Sequence, residues 1–269
     1  MRGTVASDAV ERQGPSLPAE VSQLLPRLIE GQRMALGERL VATYLFGSAA
    51  SGDFEAGLSD VDTVAVLAGD PTPNDLRALA KLHSELVGQL PEWDDRVEAL
   101  YLSAGALANF RDGRHPAARV SPGEPFHKIE VDRRWVLDWY RVREIGVALH
   151  GPPPHKLIPK IPHSEFVAAA RGELLIWPRQ IRRGMSAGSL AYAVLTICRS
   201  LCLVETGRPV SKREGAHWGA ARTPGFAPLV SGALTRWEIR LERGALDSPL
   251  VFADVHKFAK WAASQVPNR

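Results

Sequence analysis

Between residues 40 and 46 the chain reads Leu-Val-Ala-Thr-Tyr-Leu-Phe, an apolar, β-branched and aromatic run that stops at Gly47-Ser48. Such a run predicts a buried strand closed by a turn. A second strand is predicted at Val61 to Leu67 and a third at Asp95 to Leu102. Between the first two, Ala49 to Leu58 is rich in small residues and holds two glycines, predicting a short helical turn and loop that lets both strands lie side by side. Helical spacing dominates elsewhere in this half. Pro18 to Leu36 reads as a helix, and Leu76, Leu79, Leu82, Leu86 and Leu90 recur along one face of a helix over 73–90. A short helix is expected at Ser103 to Arg111, a loop over 112–130, and a helix from Arg134 to His150 that Gly151-Pro-Pro-Pro154 ends.

The pattern changes after the proline-rich segment Pro152 to Pro162, which reads as a stiff linker. Beyond it every periodic stretch is helical: 164–183 with a kink at Pro178, 186–206 ended by Gly207, 227–243 and 250–266. Ser211 with Glu214 forms a capping box, starting one more helix with Lys212 in its first turn. In the last helix Phe252, Val255, Phe258, Ala259 and Trp261 share a face suited to core packing. The expected organisation is a polar lead-in over 1–18, a unit of strands and helices over 19–155, and a helical unit over 156–269.

Composition narrows the class. The chain has 269 residues, 45% of them hydrophobic, enough for two cores. Its formal charge is only +3, with no Lys/Arg run, so no nucleic-acid partner is expected despite a pI near 9.0. Cys198 and Cys202 lie four residues apart on one helix, a spacing that suits packed thiols rather than a disulfide. The eight histidines form no zinc-type spacing with Cys or acids. The N-terminal stretch has no signal-peptide core and no window reads as a membrane span, so a cytoplasmic monomer is expected.

The chemistry sits beside the first strands. Asp60 and Asp62, two residues apart, project to one face, and Glu98 lies on the third strand. Paired carboxylates repel unless a cation lies between them. All-oxygen ligation favours Mg²⁺, which completes its shell with waters and substrate phosphates. Gly47 allows close backbone approach to phosphate oxygens, and Ser48 adds a hydroxyl and an N–H. Glu98 is suited to take the proton of an attacking hydroxyl.

Leu45-Phe-Gly-Ser48 with Ser59-Asp-Val-Asp62 resembles the signature of the polymerase-β-like nucleotidyltransferases. Ala193 to Ser200, Glu205-Thr-Gly207 and Ser211-Lys212 through Trp218 are similar to the helical domain of the aminoglycoside adenylyltransferases that modify streptomycin and spectinomycin. The resemblance implies an α+β fold, with a mixed-sheet nucleotidyltransferase domain followed by an all-α bundle. It implies that Asp60 and Asp62, with Glu98 alongside, ligate Mg²⁺ and that Glu98 is the catalytic base. It also implies that Gly47, Ser48, Ser59, Arg199, Lys212 and Trp237 contact ATP as co-substrate, the other partner being an aminoglycoside or aminocyclitol. One segment departs from the family. Arg182 to Tyr192 holds two arginines and no acid where streptomycin-modifying members place acidic and polar contacts, so a less charged acceptor such as spectinomycin is favoured. An aromatic contact between the domains is placed at Phe126. The alternatives are nucleotidylation of a protein hydroxyl and a nucleotide-binding module without turnover.

Overall fold

The computed structural model describes residues 17–238 and 250–266. The lead-in up to residue 16 and the predicted helix beyond Glu238 lie outside them. Helix α1 (Ala19–Leu36) passes into β1 (Leu40–Phe46), the single turn α2 (Ser48–Ser51) and β2 (Val61–Leu67). Then come α3 (Pro73–Gln89), β3 (Val97–Ser103), α4 (Ala104–Ala108), β4 (His115–Ser121), β5 (Glu124–Val131), α5 (Val136–Ile145) and β6 (Val147–His150). The strands form one sheet in the order β5-β4-β3-β2-β1-β6. Only β2 and β3 run parallel, because α3 carries the chain back between them. That helix starts where Thr72 and Asp75 cap each other reciprocally and Pro73 takes the first helical position.

Strand alternation gives the sheet two buried faces. Leu45, Val61, Ala65, Val97, Ala99 and Tyr101 pack under α1 and α3. Tyr44, Val64, Val66, Leu100 and Leu102 face Val136, Trp139 and Val142 of α5. Asp62 and Glu98 share the parity of Val64 and Leu100, so they belong to the α5 face, at the end of the strands where the apolar cover stops.

The remainder is helical: α6 (His163–Gln180), α7 (Ala187–Thr206), α8 (Lys212–Arg222), α9 (Ala227–Glu238) and α10 (Phe252–Ser264). The central helix α7 buries Leu190, Val194, Leu195, Ile197 and Leu201, each contributing about 1.5–3 kcal/mol of transfer free energy. Gly207 ends it in the left-handed conformation at φ 71°. Gly215 and Gly219 let α8 lie close to α7, since a Cβ at Gly215 would come within 2.9 Å of Arg199 Cγ and one at Gly219 within 2.6 Å of Cys198 Sγ. Cys198 and Cys202 are free, buried thiols. The two halves meet where Leu137, Tyr140, Phe166, Ala170 and Leu203 pack together, with the Tyr140 and Phe166 rings stacked at 3.9 Å.

Four expectations are corrected. The loop expected over 112–130 is the β4–β5 hairpin. Its prolines obscure the alternation, but Pro122-Gly123 forms the turn, with Gly123 at φ 77°, and Pro125 lies on the edge strand, where a missing N–H costs no ladder bond. The helix expected to reach His150 stops at Ile145, and Val147–His150 instead pairs antiparallel with β1. The proline-rich segment, expected to be a stiff linker, is instead part of the fold, because Ile158 and Ile161 are buried in the α5-side core. Finally, Ala187–Thr206 is long and apolar enough to cross a membrane, with a mean hydropathy of 1.7, and 67% of that stretch is buried inside the protein as a core helix.

Candidate active site

The strand register assembles the acids. Phe46 on β1 pairs with Asp62 on β2, and Asp62 pairs in turn with Glu98 on β3. Gly47, the residue after Phe46, therefore turns directly against Asp62. It adopts φ 68°, and a Cβ there would overlap Asp62 Oδ2, so only glycine lets the chain pass. Asp60 precedes β2 on the same parity, and Ser48 opens the α2 turn.

Burial and mutual repulsion raise the carboxyls of this cluster. Removal from water raises the Asp62 carboxyl well above the ordinary range, and the neighbouring Glu98 and Asp60 charges raise it further. Glu98 is pushed up to about 7, mainly by desolvation and also by Asp138 and Asp60, while Arg119 and Lys212 oppose the shift. Arg119 lies on β4 opposite Leu100, two residues along β3 from Glu98.

The helical half brings cations to the acids. Lys212 is the first residue of α8, fixed there by the Ser211–Glu214 capping box. Its charge is felt by both Asp62 and Glu98, and its Nζ stands 5.4 Å from the Trp237 ring centre and 5.8 Å from that of Tyr192. Trp237 thus lies beside the site while also packing on the helical core. Arg199 on α7 donates from Nε to the Val210 carbonyl at 3.1 Å. Burial lowers its pKa to about 10, which still leaves it charged at neutral pH.

Arg199 also lines a cavity of ≈ 130 Å³ between the halves, with Asp138 and Arg141 of α5, Glu173 of α6, and Tyr192, Thr196 and Ser200 of α7. Asp138 accepts from Arg141 Nη1 at 3.2 Å, and Ser200 Oγ donates to Glu173 at 2.6 Å. The Asp138 charge is felt by Asp62, Glu98 and Glu173, so this acid of the cavity is electrostatically linked to the acid cluster.

Residues 156–263 match the family model for the aminoglycoside adenylyltransferase C-terminal domain. The fold as a whole resembles the structure of spectinomycin adenyltransferase AAD(9) from Enterococcus faecialis, solved with ATP and spectinomycin. That match has a TM-score of 0.72 at 14% identity and covers 90% of this chain and 99% of the other. No curated protein matches the sequence. The chain therefore shares an α+β fold with that structure, and over residues 156–263 it resembles the aminoglycoside adenylyltransferase C-terminal domain.

The residues expected from the sequence fall into three groups. Gly47, Asp62 and Glu98 are brought together by the strand register, with Asp60 just before β2 and Ser48 just after Gly47; Lys212 and Trp237 lie on the helical side, Lys212 acting on Asp62 and Glu98, and Arg199 lines the cavity. Ser59 has a structural part in the loop before β2. It is buried, and its Oγ accepts from the Glu55 N–H at 2.9 Å, pinning the loop before Asp60. Phe126 lies on the opposite face of the sheet, 5.9 Å from the His83 ring and 6.0 Å from Tyr101.

The residues fit a divalent cation, with one correction. Among the described residues no three His, Cys, Asp or Glu groups are gathered closely enough to hold an ion by themselves, so Asp60, Asp62 and Glu98 are not a finished three-ligand cage. Hard oxygen donors, a buried like-charge cluster and a glycine cradle suit Mg²⁺ bound through one or two carboxylates and completed by substrate phosphate.

Sequence reasoning missed the acids of the cavity. Arg182 and Arg183, which were expected to face the acceptor, are exposed and do not line it, Arg183 lying 5.2 Å from the Phe252 ring. Asp138 and Glu173 line the cavity instead, from α5 and α6. The local signal was a lone acid among apolar residues, Asp138 in Trp135-Val-Leu-Asp-Trp-Tyr140 and Glu173 in the mostly apolar stretch 166–177.

Proposed function

We propose that this chain transfers an adenylyl group from ATP, with Mg²⁺, to a hydroxyl of an aminocyclitol acceptor such as spectinomycin, acting as a cytoplasmic monomer. The observation that carries this reading is the Asp62–Glu98 register pair, whose carboxylates feel the Lys212 charge, in a molecule with a cavity between its halves that Arg199 lines.

Asp60 and Asp62 would hold the metal, which when bound polarises the phosphate and offsets developing charge. Glu98 accepts the proton of the acceptor hydroxyl as that oxygen bonds to the α-phosphorus. The bond from the α-phosphorus to the bridging oxygen breaks, and pyrophosphate leaves. Lys212 and Arg199 set positive charge against the phosphate oxygens in that state. Asp138 and Glu173 accept hydrogen bonds from amine and hydroxyl groups of the acceptor, next to Arg141 and Arg199, which keeps the pocket suited to a molecule of low charge. A cavity of ≈ 130 Å³ lined from both halves also favours a small acceptor over a protein side chain.

The test is mass analysis of a panel of aminoglycosides and aminocyclitols after incubation with the protein, ATP and Mg²⁺. Spectinomycin is expected to gain one adenylyl group and Asp60→Ala to abolish the gain. Equal product formation by that variant would overturn the assignment, and silence across the panel would overturn the acceptor class.

A further inference from the structure

One ion-pair cluster ties the two halves together beside the cleft. Arg213, the residue after Lys212, donates to Glu55 Oε1 from Nε at 3.1 Å and from Nη2 at 2.5 Å, and its Nη1 pairs with Glu238. Glu55 belongs to the loop between α2 and β2, whereas Glu238 ends α9. A single guanidinium thus bridges the sheet half and two helices of the helical half.

Helix polarity makes this placement informative. Lys212 and Arg213 are two cations in the first turn of α8, where the helix dipole disfavours positive charge. Each is offset by acids outside its own turn: Lys212 by the Asp62 and Glu98 cluster, Arg213 by Glu55 and Glu238. The anions that compensate this helix start therefore come in part from the other half of the molecule.

The loop carrying Glu55 transmits position. The Glu55 N–H donates to Ser59 Oγ and the Glu55 carbonyl accepts from the Ser59 N–H, both at 2.9 Å. The Ser59 carbonyl accepts from Arg96 Nη2 at 2.9 Å, Arg96 pairs with Glu20 at 3.2 Å, and Glu20 accepts from the Gly57 N–H at 3.0 Å. The next residue is Asp60. Direct contacts thus run from Glu238 through Arg213, Glu55 and Ser59 to the acid cluster.

We propose that Arg213 is a positioning residue for the transfer reaction: by tying Glu55 to Glu238 it sets where Lys212 stands relative to Asp62 and Glu98. The proposal rests on the reading that ATP phosphates occupy the space between those groups. It gives Arg213 no contact with substrate.

The experiment measures MgATP affinity by calorimetry and steady-state kinetics with spectinomycin, using full-length parent, R213A, R213K, E55Q and R213A/E55Q. R213A is expected to weaken ATP binding about fivefold, the scale of one partly exposed bidentate ion pair. E55Q should do the same, the double variant should be no worse than either single one, and R213K, which keeps charge without the fork, should fall between. Thermal melts check that each variant is folded. ATP binding by R213A equal to that of the parent, or effects of R213A and E55Q that add independently, would overturn the proposal. A parent that binds no ATP would overturn the functional reading and this proposal together, so the two failures are distinguishable.

Discussion

Asp62 on β2 stands directly opposite Glu98 on β3 in parallel register, so two carboxylates that repel each other are fixed side by side by the backbone ladder itself. Glu98→Gln removes the proposed base and part of that repulsion. We expect turnover to fall by about 10²-fold or more while the melting temperature stays level or rises. Steady-state kinetics paired with a thermal melt reads both, and a variant that loses stability in proportion to activity would count against the role.

The same pair sets a pH dependence for the metal. The carboxyl of Glu98 is raised from 4.5 to about 7, so its folded-state protonation stabilises the metal-free protein below 4.5 and that contribution is lost as pH rises through about 7. Mg²⁺ binds the ionised form. The thermal shift on adding Mg²⁺ with ATP should therefore be larger at pH 8 than at pH 5.5, and equal shifts would mean that the acid cluster is not the metal site.

Asp138→Asn and Glu173→Gln test the acceptor side. Each removes the charge from a carboxylate of the cavity and should raise the KM for spectinomycin about tenfold, the value of one charged hydrogen bond, with the KM for ATP unchanged. Matching rises in both constants would place these acids outside the acceptor subsite.

His83 offers a prediction away from the cleft. It is buried against Phe126, its Nε2 lies 2.8 Å from the Tyr101 hydroxyl, and Tyr101 accepts from Gln32, which in turn accepts from Thr43. Burial lowers its pKa from 6.5 to about 4. For a histidine held neutral, stability is complete above pH 6.5 and is lost as pH falls through the window down to 4, by about 3 kcal/mol in all. Denaturant titrations across that window should show the loss in the parent and a flatter profile in His83→Gln.

Gly215→Val should act through packing. The new side chain would press on Arg199 Cγ and on the Arg199 backbone, pushing α8 and Lys212 outward. We expect a loss of about 1–3 kcal/mol of stability and a raised KM for ATP. An unchanged KM would show that α8 tolerates the shift.

The first strands, the acid cluster and the helical half were legible because each rests on local pattern: apolar runs ended by glycine, a capping box, a left-handed Gly207. The β4–β5 hairpin was not, since Pro116, Pro122 and Pro125 interrupt the alternation that betrays a strand, and edge pairing decided its structure. Asp138 and Glu173 were hidden for a different reason. They lie 35 residues apart in the chain, and only the docking of α5 on α6 and α7 makes them neighbours of one cavity. Ser59 carries a structural part that the motif did not reveal, its hydroxyl accepting from the Glu55 N–H in the loop before Asp60.

The segment after β6 gives the molecule an unequal seam. Ile158 and Ile161 precede α6 yet are buried in the core beneath the sheet, alongside Trp139 and Val142. A helical half cut free at residue 156 would carry two isoleucines whose socket stays behind, and a sheet half ending there would keep an open hole. Exchanging helical halves between relatives, as a route to new acceptors, therefore means moving the join past Ile161 or transplanting the socket with it.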